Sequence, residues 1–144
     1  MQAAVGAEQL KKLPTFIERR RHNFSRLYNT LLPAQDKLIL PEACPGSKPS
    51  LFGFLITCRQ GVERSRLVRE LEDKGIQTRM LFGGNLVKQP AFNGMRNSGK
   101  GYRQIGDLAV TDEIMNNTFW VGVYPGMTDE MIDYMGRVIV EAVS

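Results

Sequence analysis

The spacing of apolar residues changes several times along the chain, and each change marks an element. Over residues 2–31, Leu10, Leu13, Ile17, Phe24, Tyr28 and Leu31 recur every three or four positions. That period reads as one long helix, with the Glu18–Arg21 run turned outward. Pro14 falls inside it, where a missing amide and a bulky ring predict a kink or a fresh start. Pro33 ends the helix. Lys37–Leu40 reads as a short edge strand, followed by a Pro/Gly/Ser loop from Pro41 to Pro49. Leu51–Cys58, LFGFLITC, is an apolar run of strand length. In Val62–Lys74, Val62, Leu67, Val68 and Leu71 share one helical face, and Gly75 fits the stop. Ile76–Phe82 reads as a second strand, residues 83–106 as a long loop, and Asp107–Asn116 as a short helix. Thr118–Val123 is a third strand. Thr128 is then a natural N-cap for a last helix, with Asp129 and Glu130 in its first turn and Met131, Met135, Val138, Ile139 and Ala142 as its buried stripe.

This order predicts an α/β fold, a small two-layer sandwich in which a long N-terminal helix precedes a sheet of three or four strands covered by helices. It divides the chain into a helix over 1–32 and an α/β domain over 33–144. The helix starts at residue 2 with no cap signal before it, which predicts that the chain begins inside a longer protein.

Composition narrows the function without naming one. At 144 residues and 42% hydrophobic content the chain suits one domain with a packed core. No apolar run is long enough to span a bilayer and no charged-then-apolar leader opens the sequence, so a soluble, cytoplasmic protein with no membrane partner is expected. Cys44 and Cys58 lack metal-ligand spacing and read as unpaired thiols. The net charge of +4 raises the question of nucleic acid. Its sources, Lys11, Lys12, Arg19–Arg21, Arg26 and then Arg59, Arg64, Arg66 and Arg69, alternate with glutamates on helices. They read as solvated faces with local ion pairs, and no nucleic-acid partner is expected. The one histidine, His22, sits among those arginines and reads as an exposed helix residue. No catalytic set, phosphate cradle or metal cluster is visible.

The stretch with most chemical promise is RMLFGGNLVKQPAF, residues 79–92. Gly83 and Gly84 either turn the chain or let its backbone approach a ligand. Asn85 and Gln89 either satisfy loop backbone or address a hydroxyl-rich ligand, for which uncharged amides match donors and acceptors alike. Phe52 and Phe82 are either core residues or the walls of a pocket. Arg79 and Arg103 flank the loop and could meet a phosphate.

The segment MQAAVGAEQLKKLPTFIERRRHNF is similar to the stretch joining the large and small domains of StrS-type sugar aminotransferases, within the fold-type I pyridoxal-phosphate enzymes. PSLFGFLIT, TRMLFGGNLVKQPAF and YRQIGDLAVTDEIMNNTFWVGVYPGMTDEMIDYM resemble a narrower subgroup, the CDP-4-keto-6-deoxy-glucose 3-dehydrases of lipopolysaccharide deoxysugar biosynthesis. The resemblance covers essentially the whole chain. Phe82-Gly83-Gly84-Asn85-Leu86 stands where the ordinary aminotransferases carry a Tyr-Pro…Leu-His loop. Glu113 stands where the subgroup usually has arginine.

The resemblance implies a C-terminal small domain that closes over the active site of a larger homodimeric enzyme. The parent would use pyridoxamine 5'-phosphate and an iron–sulfur cluster fed by a reductase partner, with the cofactor half on the large domain. The isolated chain is then expected to bind no pyridoxamine phosphate, to carry no catalytic or metal-ligating residue, and, with Met1, Val5 and Leu10 left without a partner, to self-associate or be poorly stable alone. Its substrate-binding residues would be Phe52, Phe82, Gly83, Gly84, Asn85, Gln89 and Arg103, acting on a nucleotide sugar. A nucleotide-sugar aminotransferase domain and a stand-alone binding module are the alternatives.

Overall fold

Where each apolar stripe finds a partner decides how much of each expected element is packed. The computed structural model describes residues 2–144. Helix α1 runs over Gln2–Leu31 without interruption at Pro14. No fresh start occurs there. Every residue from Gln2 to Thr15 is exposed, so the proline gives up one backbone bond where no core depends on it. The helix is buried only in its second half, at Asn23, Leu27 and Leu31, with Phe24 and Tyr28 packed alongside. Val5 and Leu10 stand 60% and 66% exposed, so the expected stripe lacks a partner over half its length. Met1 lies outside the described residues.

Four strands, β1 (Leu38–Ile39), β2 (Gly53–Cys58), β3 (Thr78–Met80) and β4 (Thr118–Gly122), form one antiparallel sheet in the order β1-β2-β4-β3. β1 is an edge strand, as its shortness and flanking proline foretell. β3 is shorter than its apolar run because the chain leaves the sheet at Leu81 and Phe82. Alternation sends Phe54, Ile56, Phe119 and Val121 into the core. The other face carries Leu55, Trp120 and Arg79, aligned across three strands.

Helices α2 (Arg64–Asp73) and α5 (Asp129–Val143) complete the core layer with α1. Between β3 and β4, α4 (Ala109–Asn117) is the short helix expected over 107–116, whereas the stretch expected as a loop, 83–106, holds α3 (Asn93–Ser98) and 3-10 turns at Leu86–Lys88 and Pro90–Phe92. Short polar turns of this kind carry no apolar period, which is why the sequence pattern misses them. The last helix begins at Thr128, whose hydroxyl accepts from Met131 N at 3.3 Å. Its stripe is shifted by one from expectation at the start: Ile132 is fully buried and Met131 is 46% exposed.

The seam between α1 and α5 combines close approach with charge. A Cβ on Gly136 would stand 2.5 Å from Thr30 Cγ2, so glycine allows the helices to touch there. Arg26 grips Asp133 with two bonds, Nε to Oδ1 at 2.6 Å and Nη2 to Oδ2 at 2.7 Å. Its Nη1 reaches Asp129 Oδ2 at 3.0 Å, while Arg19 Nη2 donates to Asp129 Oδ1 at 2.7 Å. His22 Nε2 lies 3.2 Å from the same oxygen. Arg19 and Arg26 are therefore tied to α5, and Arg20 and Arg21 to the 48–50 loop, while Lys11 makes the expected local pair with Glu8 inside the helix. The second arginine set also departs from that expectation, because Arg64 donates to the carbonyls of Met115 and Thr118, and Arg59 to that of Gln35.

Candidate functional site

Beyond β3 the chain makes a sharp departure from the sheet. Phe82 has φ of 20°, at the margin of the left-handed region that side chains disfavour, and its ring is 83% exposed. Gly84 follows at φ 59°. A Cβ there would lie 2.6 Å from Met115 Cγ, so this glycine is needed twice, for its backbone angle and for the close approach of α4. The collision that excludes a side chain at Gly84 is with the protein itself. Leu81, Phe82, Gly83, Gly84, Leu86 and Met115 border an open recess of about 340 Å³.

Asn85 is 3% exposed and points inward. Its Nδ2 donates to Asp112 Oδ1 at 2.8 Å, its Oδ1 accepts from Val87 N at 3.2 Å, and its backbone N–H lies 3.2 Å from Met115 Sδ. Lys88 Nζ takes the other oxygen, Asp112 Oδ2, at 2.7 Å. Bonds from Lys88 and then Asn85 hold the Asp112 carboxyl below its ordinary range. Gln89 folds back, with Nε2 donating to the Gly83 carbonyl at 2.5 Å. In this conformer both amides satisfy the loop, so the expectation that they address a ligand directly is not what the geometry presents. The outward groups of this lip are Phe82, Gly83 and Leu86.

Phe52 and Phe82 are both exposed, against the default expectation that they are core. They do not wall one pocket. Met80 pairs with Phe119, whereas the Phe52 carbonyl accepts from Val123 N at 2.8 Å. The positions that lead to the two rings, Met80 and Phe52, therefore stand at opposite ends of β4, about 13 Å apart along the strand at 3.3 Å per residue, and Phe82 lies further still along the chain. Phe52 instead meets Trp120 edge-on, centroids 5.6 Å apart. Trp120 lies across Gly53, where a Cβ would come within 2.7 Å of its Cε3. Trp120 does not stand out in the sequence because TFWVGV looks like a continuous buried strand. The signal available was its odd position, out of phase with the core residues Phe119 and Val121.

Arg79 is exposed and donates to its neighbour's carbonyl, Thr78 O, at 3.1 Å. Arg103 is exposed on the stretch between α3 and α4, and nothing among the described residues pairs with it. A larger cleft of about 720 Å³ lies away from the lip, between α1 and the 41–51 loop, lined by Phe24, Tyr28 and Leu51. It brings no nucleophile to a base.

No three His, Cys, Asp or Glu side chains converge for a metal ion among the described residues. The donor set does not fit an iron–sulfur cluster either, since such clusters take four ligands, usually thiolates. Cys44 is exposed, and Cys58 is buried in the core with its thiol pushed up to about 11 by desolvation. His22 is committed to Asp129. Among the described residues, no helix is long and apolar enough to cross a membrane.

Relatives agree with this architecture. The chain is 47% identical over 137 residues to the lipopolysaccharide biosynthesis protein RfbH of Salmonella typhimurium, a match covering 94% of this chain and 30% of that protein. It is 46% identical over 148 residues to the dTDP-4-dehydro-2,6-dideoxy-D-glucose 3-dehydratase of Saccharopolyspora spinosa, covering all of this chain and 30% of the other. A crystal structure of GDP-4-keto-6-deoxymannose-3-dehydratase with a trapped PLP-glutamate geminal diamine superposes with a TM-score of 0.77 at 29% identity, over 94% of this chain and 34% of that one. The chain thus spans about 30% of the length of the curated relatives it matches. Over residues 1–140 it matches the DegT/DnrJ/EryC1/StrS aminotransferase family, and it belongs to that family.

Proposed function

We propose that this chain is the small domain of a nucleotide-sugar 3-dehydrase, with a CDP-4-keto-6-deoxyhexose as substrate and lipopolysaccharide deoxysugar synthesis as its setting. The observation that carries this reading is a 46% identity to a 3-dehydratase running the full length of the chain, lip included. In this reading the remaining two thirds of the enzyme supply the cofactor half, and pyridoxamine phosphate provides the electron sink when bound there. An iron–sulfur cluster would be held in that part too, because the two cysteines here, one exposed and one buried in the core, do not supply its thiolates, and the reductase that feeds it would dock there. A homodimer and a cytoplasmic location complete the proposal.

The work of this segment is to bind, orient and exclude water. Phe82 and Leu86 offer apolar surface for the unfunctionalised edge of a deoxysugar. Gly83 lets the substrate come close to backbone. Arg103, exposed and without a partner among the described residues, supplies charge for the nucleotide's diphosphate. Phe52 with Trp120 forms a second aromatic patch at the far end of β4, suited to a planar or apolar group.

Full-length enzyme incubated with CDP-4-keto-6-deoxyglucose, an electron donor and a generic reductase should release a 3-deoxy product without consuming an amino donor. Formation of a 4-amino sugar, the C4 ketone exchanged for an amine at the expense of glutamate, would assign the chain to an aminotransferase instead.

A further inference from the structure

The lip is seated on α4 through one carboxylate. Asp112 and Met115 are three residues apart on that helix and so share a face. Met115 fills the space beside Gly84, and Asp112 divides its two oxygens between Asn85, at 2.8 Å, and Lys88, at 2.7 Å. An ionised carboxylate only accepts, and both partners only donate to it, so the polarity of each contact is satisfied. From Asn85 the tie passes to the backbone, since Asn85 Oδ1 accepts from Val87 N and Lys88 N donates to Asn85 O at 3.0 Å. Asp112 thereby restrains Gly84–Gln89 from beneath. Little apolar surface beyond Met115 is covered in return: Phe82 and Leu86 remain 83% and 60% exposed. A segment that holds its shape while leaving large apolar groups in water is ordered for presentation.

We infer that Asp112 is a positioning residue for the lip: through Asn85 and Lys88 it fixes where Phe82 and Gly83 stand against the substrate, without touching the substrate itself. This rests on the reading of the lip as substrate-facing. The restraint acts by keeping the binding-competent loop conformer populated. Losing it raises the apparent dissociation constant by the factor that population falls, while bound substrate restores the conformer and spares the chemical step.

The test uses full-length enzyme carrying Asp112→Asn, Asp112→Ala, Lys88→Met or Phe82→Ala. Asp112→Asn keeps an acceptor for Asn85 but gives up the charged tie, and should raise KM about threefold to tenfold at nearly unchanged kcat. Asp112→Ala removes both ties and should raise KM about tenfold or more. Amide exchange at Val87–Gln89 should accelerate in the same order across the variants, while exchange in β2 and β4 stays put. Lys88→Met should resemble Asp112→Asn. If Phe82→Ala weakens turnover but Asp112→Ala leaves KM within about twofold, the lip faces substrate and the positioning role is overturned. If both variants leave kinetics untouched although exchange at Val87 speeds up, the substrate-facing reading fails, and this inference falls with it.

Discussion

The α1–α5 seam and the lip at residues 82–89 are built with the same two devices. Each seats a glycine against a side chain of the facing element, Gly136 on Thr30 and Gly84 on Met115. Each uses helix carboxylates to hold two neighbours, Asp129 and Asp133 for Arg19 and Arg26, and Asp112 for Asn85 and Lys88. They differ in what is enclosed. The seam closes over Leu27, Leu31, Ile132 and Ile139, all fully buried. The lip closes over almost nothing and leaves Phe82 in solvent. A seam of the first kind is explained by the core it seals. Restraint without enclosure needs another cause, and presentation to a ligand supplies one.

The largest effect on stability should come from the seam. Gly136→Ala places a methyl 2.5 Å from Thr30 Cγ2 and 2.9 Å from its Cβ, both on a β-branched side chain with little room to turn. Overpacking of that kind costs about 1–3 kcal/mol, readable as a lower midpoint in urea. Adding Thr30→Ala should restore part of it, because Cγ2 is gone while Cβ remains. If Gly136→Ala melts like wild type, the two helices do not approach as described.

A smaller effect separates the regions by pH. The bond from Arg26 holds Asp133 below its usual range. Partial burial pushes Asp129 up, but Arg19, His22 and Arg26 together outweigh it and leave it low as well. Carboxylates with lowered folded-state pKa stabilise the fold above their unfolded value, near 3.9, and that contribution fades as pH falls through the folded value. The melting temperature of wild type should therefore exceed that of Asp129→Asn/Asp133→Asn by a constant margin above about pH 5, and the margin should close below about pH 4. Asp112 is lowered in the same sense, so acid should loosen the lip over the same window. There the readout is exchange at Val87, since no core is lost. A margin that persists at pH 2 would mean the seam is not held by charge.

The sequence yields most of the first region and little of the second, for a physical reason. Helix period and strand alternation report burial, so α1, β2, α2, β4 and α5 are all readable from Leu, Ile, Val and Phe spacing. The same signal overreaches at Leu10 and Met131, which keep the period without finding a partner in this chain. In the lip, order comes from Asn85, Asp112 and Lys88, polar residues far apart in sequence whose pairing leaves no periodic trace. Gly83, Gly84 and Asn85 therefore stand out as candidates, while Asp112, 27 residues further along the chain from Asn85, does not. Trp120 is missed for the opposite reason, a strand apolar on both faces hiding which face is open.

One measurement bears most directly on the claim that the lip faces substrate. Asn85→Ala cannot decide it, because Asn85 is buried and its loss would loosen the loop in either case. Phe82→Ala removes a ring that touches little within this chain, so the fold should be indifferent to it. In full-length enzyme, kcat/KM and the melting temperature of this variant should be measured together. If Phe82 faces substrate, kcat/KM should fall about tenfold or more with a melting temperature within about one degree of wild type. An unchanged kcat/KM at unchanged stability would show that the exposed ring presents itself to nothing, and the lip would be only a turn.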